Sequence, residues 1–543
     1  MTDPFGELLA SMDRDRLAAT LLGYVQGRRW FRAKSRHVRN GAVTDLIRLE
    51  APSEAVRRGR PAQPDGDAPV LVAMLEVRYQ EGAPELYVVP LCIVERGRAA
   101  ALPLHAVVTS LASGAALVDG LATGDAARAL FEVAKGQRTV RGEKGELWGS
   151  AGALVHQLSG REPLSVVVPH AEQTNSTLVL GARVLFKIYR QLAEGENPEI
   201  EVGRFLTAHG RLTSTPRVLA ELSYRPAEGA VRSLGIAHEF WANDGDAWTA
   251  ALADVRRWFD EQEPALTPLD GRLEALLARA MKAPPTGPTP AFAPRAEKLG
   301  RRTGELHVIF ASDAGDPAFA PEPLSSADRA ALAERASSML EKTMASLAAL
   351  HNQLAADART EADRILEAHR RHVITDLLGQ FRNDSGVALK IRTHGDLHLG
   401  QVLVRGDDVA IIDFEGEPAR PLSERRAKSS PFRDVTGMLR SFDYAPEAVL
   451  RESSLPGTRS KYGPRARRWT NDVSVAYLRG YFAAVGDAPF IPAARDEKLA
   501  LLTFHQLEKV IYEIAYELDH RPDWLPIPLR GLATLVGLGL ETA

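Results

Sequence analysis

The chain has 543 residues, of which 45% are hydrophobic and 25% charged, so it is too long for one ordinary domain and has the composition of a soluble globular protein. Its formal net charge of −3 excludes an overall basic field that would attract nucleic acid or a membrane. The single cysteine, Cys92, excludes an intrachain disulfide and a cysteine-rich metal site. Because there is also no basic leader and no run of about eighteen apolar residues, we expect a cytoplasmic protein.

Residues 1–110 are predicted to form an N-terminal domain of mixed helix and strand, the segment that a family resemblance given below implies to be a cap domain. A helical pattern covers residues 13–27. Strand-like runs cover residues 42–49, 70–79 and 85–93. Residues 51–69, which are rich in Pro, Gly, Arg and Asp, are predicted to be a long hairpin loop. Residues 28–34 mix cationic and aromatic side chains, and they form either a contact surface or, as we prefer, a helix end packed under the domain.

Residues 111–242 have the pattern of a β-rich kinase N-lobe. Short β-branched runs separated by turns lie at residues 166–169, 176–180, 184–189 and 237–241. Residues 181–183 are predicted to be a tight hairpin connection. Pro198 is expected to open an amphipathic helix, with Asn197 as its N-cap.

Lys187 is the candidate cation that would hold ATP, because it stands in mid-strand between apolar neighbours and a lysine there usually needs a partner. We expect it to pair with Glu201 of the following helix, with Glu199 as the alternative. An edge-strand lysine that extends to solvent is the competing interpretation. No glycine-rich loop precedes this strand.

Residues 172–177 stand in the place of a phosphate loop. Their small hydroxyl and amide side chains could let backbone N–H groups face a phosphate, and we expect Asn175, Ser176 and Thr177 to contact ATP.

Residues 243–543 are predicted to form a helical C-lobe. A proline-rich connection covers residues 282–294. Long helices are expected at residues 326–355, 361–381, 467–485 and 496–519.

The catalytic prediction depends on His394-Gly395-Asp396-Leu397-His398-Leu399-Gly400-Gln401 followed by Asp413-Phe414-Glu415. An aspartate, an amide five residues later and a second aspartate after the next strands reproduce the spacing of kinase-type phosphoryl transfer. Asp396 would receive the hydroxyl proton, while Gln401 and Asp413 would bind Mg²⁺ against ATP. Strands at residues 401–405 and 409–414, joined by a turn, would bring the two aspartates to one end.

The acceptor would be bound by residues of the last long helix and of the loops beside Asp396. A sugar needs aromatic faces and hydrogen bonds, and the helix offers Tyr512 and Tyr516 one turn apart. The candidate acceptor contacts are His398, Glu415, Lys509, Tyr512, Glu513 and Tyr516. A helix packed by its tyrosines with a solvated charged face is the competing interpretation, and His398 could equally bond its own loop. His394, Arg433 and Asp434 are expected to be structural.

Several blocks of the sequence resemble the bacterial maltokinases, which are related to aminoglycoside-phosphotransferase-type kinases. The blocks extend over almost the full chain: residues 30–34, 172–176, 197–206, 299–307, 394–401, 413–418, 428–435, 508–513 and 521–524. The resemblance implies an α+β, two-lobed kinase-like fold with a β-rich N-lobe, a helical C-lobe and an additional N-terminal cap domain. Gln401 replaces the Asn of kinases at large, although Gln is typical of this family.

The resemblance also implies an activity: ATP- and Mg²⁺-dependent phosphorylation of maltose at the anomeric hydroxyl, giving α-maltose 1-phosphate for α-glucan synthesis. Trehalose synthase is the implied partner. A monomer or homodimer without nucleic acid or membrane is expected. The alternatives are a related kinase with another acceptor and a kinase-like regulator, although the presence of Lys187, Asp396, Gln401 and Asp413 disfavours the regulator.

Overall fold

The computed structural model describes residues 4–34, 36–49, 68–158, 165–168, 175–209, 214–261, 270–282, 288–383, 388–418, 420–452 and 458–538. Two compact units make up the chain: Met1–Ala208 with Pro216–Ala242, and His209–Thr215 with Asn243–Ala543. The predicted hairpin loop at residues 51–69 lies almost wholly outside the described residues, as does part of the proline-rich connection.

The first unit contains a five-stranded antiparallel sheet. Its strands are, in spatial order, Val38–Leu49, Val70–Tyr79, Glu85–Val94, Ala116–Asp119 and Val107–Ser110. The strand Val70–Tyr79 is buried on both faces, because one face packs against the helix Arg14–Gln26 and the other against the helix Asp125–Lys135. This explains why its sequence is a continuous apolar run instead of an alternating one. Pro4–Ser11 and Arg96–Ala100 are the other helices of this region.

A seven-stranded sheet shares a hydrophobic core with the five-stranded one. Its strands are, in spatial order, Thr139–Arg141, Glu146–Ala151, Val218–Arg225, Arg232–Glu239, Val184–Ile188, Ser176–Leu180 and Val166–Val167. The strand Val184–Ile188, called the lysine strand below, is therefore an inner strand, and the tight hairpin before it is confirmed. The helix Pro198–His209 begins at the predicted proline, and Asn197 accepts a hydrogen bond from the backbone N–H of Glu199 (2.9 Å).

The cationic and aromatic segment at residues 28–34 packs inside the first unit, as preferred from the sequence. Trp30 and Phe31 are buried, and the ring of Trp30 lies 5.0 Å from the guanidinium of Arg190. Arg190 also donates to the buried carboxylate of Asp119 (2.7 Å), which in turn accepts from Tyr24 (2.9 Å). This cluster therefore holds Arg190 in place, two residues after the end of the lysine strand.

The second unit is mostly helical. Its described helices are Ala247–Asp260, Leu273–Ala280, Ala293–Phe310, Ser326–Leu350, Ala356–Arg370, Val373–Asn383, Leu422–Arg426, Phe432–Glu452, Thr458–Val485, Arg495–His520 and Pro526–Leu535. The helix predicted at residues 361–381 is instead two helices, because His372 adopts a left-handed φ of 61° that ends the first. No helix in the described ranges combines the length and the apolar character that crossing a membrane requires.

Two of these helices touch backbone to backbone. A Cβ added to Gly300 would lie 1.9 Å from the carbonyl oxygen of Tyr477, and one added to Gly480 would lie 1.9 Å from that of Glu297. The helices Ala293–Phe310 and Thr458–Val485 can therefore approach closely only because both positions are glycine.

Two short antiparallel strand pairs complete the second unit and lie next to the candidate catalytic loop. Glu322–Pro323 pairs with Leu389–Lys390 just before the loop. Val402–Arg405 pairs with Asp408–Ile411 just after it, which confirms the predicted hairpin, with strands of four residues each. The loop is thus held between two short antiparallel ribbons.

Candidate active site

Lys187 forms a buried ion pair with Glu199. Its Nζ lies 2.9 Å from Glu199 Oε2, which also accepts a hydrogen bond from the hydroxyl of Tyr189 (2.8 Å). Burial acts to raise the pKa of Glu199, but the charge of Lys187 and the hydrogen bond from His238 lower it well below its ordinary value. The competing interpretation of a solvent-exposed edge lysine is therefore wrong.

The preferred partner, Glu201, was the wrong choice of the two glutamates. Asn197 caps the helix so that Glu199 stands in its first turn, facing the lysine strand. Glu201 is two residues further on, about 200° around the helix axis, and it is also buried. With the helix beginning at Pro198, Glu199 is the glutamate that pairs with Lys187.

The hydroxyl and amide segment before the lysine strand lies only partly within the described residues, which begin at Asn175. Thr177 stands directly opposite Lys187 in the antiparallel register. The hydroxyl of Ser176 accepts a hydrogen bond from Arg190 (2.7 Å), so that side chain is already engaged. Phosphate contacts by Asn175, Ser176 and Thr177 stay predictions.

In the second unit, the loop that carries Asp396 is braced by the buried carboxylate of Asp434. The backbone N–H groups of His394 and Gly395 donate to its two oxygens (2.7 and 2.8 Å), and His307 Nε2 lies 3.1 Å away. Burial acts to raise the pKa of Asp434, but the hydrogen bond and charge of His307 lower it. Asp434 is thus a fixed anion under the loop, as its predicted structural role requires.

His394 is structural, as predicted. Its Nε2–H donates to the carbonyl of Ile412 (2.9 Å), and its Nδ1 accepts from the N–H of Asp396 (3.3 Å). The loop and the hairpin behind it are therefore joined through one imidazole.

His398 also serves its own loop. Its Nδ1 accepts from the N–H of Gly400 (3.1 Å), and burial is the main cause that lowers its pKa. A neutral ring bonded to the backbone favours the structural interpretation over an acceptor contact.

Asp396 is paired with Lys509 of the helix Arg495–His520, called the acceptor helix below. The distance from Lys509 Nζ to Asp396 Oδ1 is 3.5 Å. Burial opposes the shift, but the charges of Lys509, His398, His394 and Arg433 lower the pKa of Asp396. The carboxylate is therefore ionised at neutral pH, and a cation fixes its direction.

Oxygen donors of the kind that Mg²⁺ prefers lie around the hairpin end. Gln401 ends the 3₁₀ turn Leu399–Gln401, and Asp413 follows the second strand with a left-handed φ of 67°. Such a backbone conformation in a residue other than glycine is frequent at functional sites. Carboxylate oxygens of Asp413 and Glu415 lie within 4.8 Å of each other. Glu415, predicted as an acceptor contact, thus belongs with the candidate metal residues.

A small polar cavity, called the Asp396 pocket below, opens beside the catalytic loop with a volume of about 30 Å³. It is lined by Gly395, Asp396, Leu397, Glu417, Arg420, Arg433, Thr436, Gly437, His505, Glu508, Lys509 and Tyr512. A cavity of this size holds a few waters or the hydroxyl-bearing edge of a sugar ring, but not a whole disaccharide.

Two of the predicted acceptor contacts, Lys509 and Tyr512, line this pocket, while Glu513 and Tyr516 do not. Glu513 is buried and accepts two hydrogen bonds from the buried Arg440 (2.7 and 2.9 Å), so it is a structural anion and not a sugar contact. Tyr516 is 39% exposed and stacks on Tyr512, with ring centroids 6.2 Å apart.

Sequence reasoning missed several residues of the pocket. Glu417 accepts from Arg420 (2.6 Å) and Arg433 (3.3 Å) through Oε2. Glu508 lies 3.4 Å from Arg420 and 3.3 Å from His505 Nδ1. The spacing of Glu508 one turn before Tyr512 was a usable signal, whereas Arg420 lies far away in sequence and gave none.

No protein-family model matches the chain. It is similar to a glucosamine kinase of Streptacidiphilus jiangxiensis, with 27% identity over 382 residues that cover 67% of this chain and 72% of the relative. A glucosamine kinase of Mycolicibacterium smegmatis is 24% identical over 384 residues, covering 70% of this chain and 81% of the relative.

Solved structures of glucosamine kinase share the fold. Crystal form A superposes with a TM-score of 0.59 at 22% identity and covers 98% of this chain and 99% of its own. A complex with glucosamine, ADP and inorganic phosphate gives a TM-score of 0.56 at 22% identity, covering 83% and 92%. The mixed sheet and helix architecture expected from the sequence is therefore confirmed: the chain has an α+β, two-lobed kinase-like fold.

Proposed function

We propose that this protein is an ATP-dependent sugar kinase that transfers the γ-phosphoryl group to a hydroxyl of a sugar. The observation that carries the proposal is the ionised carboxylate of Asp396, held by Lys509 at the wall of a pocket of hydrogen-bonding side chains. Its loop has kinase spacing, and the similarity to glucosamine kinases supports the same class of reaction.

The roles follow from the chemistry of phosphoryl transfer. Asp396 orients the acceptor hydroxyl and takes its proton, and a low pKa is compatible with this because the transition state is loose and depends mainly on positioning. Lys509 keeps the carboxylate turned toward the pocket and balances its charge. Asp434 and His394 hold the loop backbone in place.

The residues present fit a nucleotide and a divalent cation. Lys187 is a buried cation fixed by Glu199, which suits the nonreacting phosphates of ATP. Gln401, Asp413 and Glu415 offer the hard oxygen donors that Mg²⁺ takes. When bound, the metal would offset the negative charge that builds up on the transferring group. Glu415 thus joins Gln401 and Asp413, the two metal ligands predicted from the sequence.

For the acceptor we propose maltose, phosphorylated at the anomeric hydroxyl to α-maltose 1-phosphate. The pocket admits only an edge of one ring, so the rest of a larger sugar would lie outside. Tyr512, Tyr516 and His520 form a stacked aromatic ledge there, with centroid distances of 6.2 and 4.5 Å. An aromatic ledge beside the pocket suits the apolar face of a second ring, and a monosaccharide would leave it unused.

Glucosamine is the second candidate, because the curated relatives carry that name. The charges of the pocket are already paired. The lining carboxylates Asp396, Glu417 and Glu508 each have a cation within 3.5 Å in the described part of the chain. An acceptor ammonium would have to share one of these paired carboxylates, whereas a neutral sugar would leave the charge balance unchanged.

A phosphorylation assay with Mg-ATP and a panel of maltose, glucose, glucosamine, trehalose, maltotriose and an aminoglycoside tests the proposal, with products identified by ³¹P NMR. Maltose-dependent formation of an anomeric phosphate is the expected result. Preferred turnover of glucosamine would keep the kinase and replace the acceptor. Transfer to none of these compounds, by folded protein that binds ATP, would refute the sugar-kinase proposal.

A further inference from the structure

Two atoms of the Asp396 pocket carry hydrogen-bonding capacity that the protein does not use. Glu417 is 6% exposed and His505 is 2% exposed, and both line the pocket. Glu417 Oε1 and His505 Nε2 have no hydrogen-bond partner among the described residues. Buried polar groups are nearly always satisfied, so a pair of such atoms in one cavity points to a ligand that satisfies them.

The neighbours of these two atoms set what they can bind. Glu417 receives both of its arginine hydrogen bonds on Oε2, so Oε1 keeps acceptor capacity that these arginines do not use. His505 Nδ1 lies 3.3 Å from Glu508. Burial opposes the shift, but His505, Arg433 and Arg420 lower the pKa of Glu508, so this group is a carboxylate that can only accept.

The carboxylate of Glu508 accepts a hydrogen bond from His505 Nδ1–H, so Nε2 is the ring nitrogen that remains for a ligand. The pocket thus offers its ligand one carboxylate oxygen and one imidazole nitrogen. Tyr512 lines the same wall, and burial, the charges of Glu417 and Asp396 and a hydrogen bond with Glu417 raise the pKa of its phenol and keep it protonated.

We propose that Glu417 Oε1 and His505 Nε2 together recognise two hydroxyl groups of the acceptor sugar and so orient a third hydroxyl toward Asp396. This inference rests on the proposed sugar-kinase function and assigns the specificity of that site to two residues. Sugars carry neighbouring hydroxyls on one ring edge, which supply two donors without adding charge. Because the pocket carboxylates already have cations within 3.5 Å, a neutral sugar leaves the charge balance of the pocket unchanged.

The test compares each sugar with its monodeoxy analogues, using the full chain and Mg-ATP. For the wild type, removal of either recognised hydroxyl should lower kcat/KM by about 10- to 100-fold, since a buried acceptor is then left unpaired. In Glu417→Gln and in His505→Phe, the parent sugar should lose a similar factor. The matching deoxy analogue should then lose little more, because hydroxyl and side chain form one interaction.

Glu424→Gln is the matched control. Glu424 lies 4.0 Å from the same Arg420 but is half exposed and does not line the pocket. Its preference between sugar and deoxy sugar should equal that of the wild type. The ratio of sugar to deoxy sugar is taken within each variant, so a loss of folded protein does not change it.

Each outcome decides one statement. Equal turnover of all deoxy analogues by the wild type overturns the recognition pair while leaving the kinase in place. Unchanged discrimination in both variants overturns the assignment to Glu417 and His505. Better turnover of glucosamine than of glucose overturns the neutral acceptor. Absence of transfer to any sugar removes the proposed function and the inference together.

Discussion

The catalytic loop and the Asp396 pocket lie side by side, but they differ in whether their polar groups have hydrogen-bond partners within the protein. In the loop, the N–H groups of His394 and Gly395 and both nitrogens of His394 have partners within the protein. In the pocket, Glu417 and His505 each keep one atom without a partner in the described ranges. The loop is complete before a ligand arrives, whereas the pocket is completed by its ligand.

This contrast separates two kinds of mutational effect. Changes in the loop should lower kcat for every acceptor, because the loop places the reacting carboxylate. Changes in the pocket should alter KM and the choice of acceptor, because the pocket supplies contacts only to that molecule.

Among the changes in the loop, Asp396→Asn should lower kcat the most. Removal of the proton acceptor should lower kcat by about 10²- to 10⁴-fold, the usual contribution of a general base. The measurement is steady-state kinetics, with ATP binding followed by calorimetry. Binding of ATP should persist, and retained activity would exclude Asp396 from the base role.

Asp434→Asn should have the next largest effect. The amide cannot accept from both backbone N–H groups and His307 in the same way, so the loop should lose its fixed position. We expect kcat to fall by about 10- to 100-fold and stability to fall by ~1–3 kcal/mol, because a charged buried acceptor is lost. Chemical denaturation together with kinetics measures both. A change in acceptor KM alone would contradict a bracing role.

Lys509→Met tests the contact where loop and pocket meet. The cation holds the pKa of Asp396 below its ordinary value, so its removal should raise that pKa. The acid limb of the activity profile should therefore move to higher pH, and activity should be lost first on the acidic side. A pH–rate profile of kcat/KM measures this. An unmoved acid limb would show that Asp396 does not set it.

Tyr512→Ala tests the role of the pocket and should have a smaller effect, on the KM of the acceptor. We expect the acceptor KM to rise by about 10-fold and more than the ATP KM, because Tyr512 lines the pocket and begins the aromatic ledge. Tyr516→Ala, outside the pocket, should affect maltose by only a few-fold and glucose hardly at all. Equal changes in the KM of ATP and acceptor would indicate a folding effect instead.

The sequence predicted the parts of the site that depend on short spacing. Asp396, Gln401 and Asp413 stand on one loop and one hairpin, so their spacing alone indicates that they lie at one end. Lys187 was found from its apolar strand context, but its partner depended on the first turn of a helix, where a two-residue shift exchanges Glu201 for Glu199.

The acceptor side was harder to predict because its roles depend on distant partners. From the sequence, Glu513 is a candidate sugar contact. In the structure its carboxylate accepts hydrogen bonds from Arg440, which lies 73 positions earlier. Glu417 and His505 come from separate segments, and only the fold brings them to one cavity. Helix periodicity indicates which residues share a face but not which neighbour occupies that face.

The backbone contact between the helices Ala293–Phe310 and Thr458–Val485 limits how this protein can vary. In a saturation library, positions 300 and 480 should tolerate no residue other than glycine, since any side chain would overlap a carbonyl oxygen of the facing helix. Gly23 and Gly379 also lie in helices, but an added Cβ would meet nothing within 4 Å there. Alanine at those two positions should stabilise the protein by about 0.5–1 kcal/mol. Positions 300 and 480 are thus restricted to glycine, whereas positions 23 and 379 can accept alanine with a gain in stability.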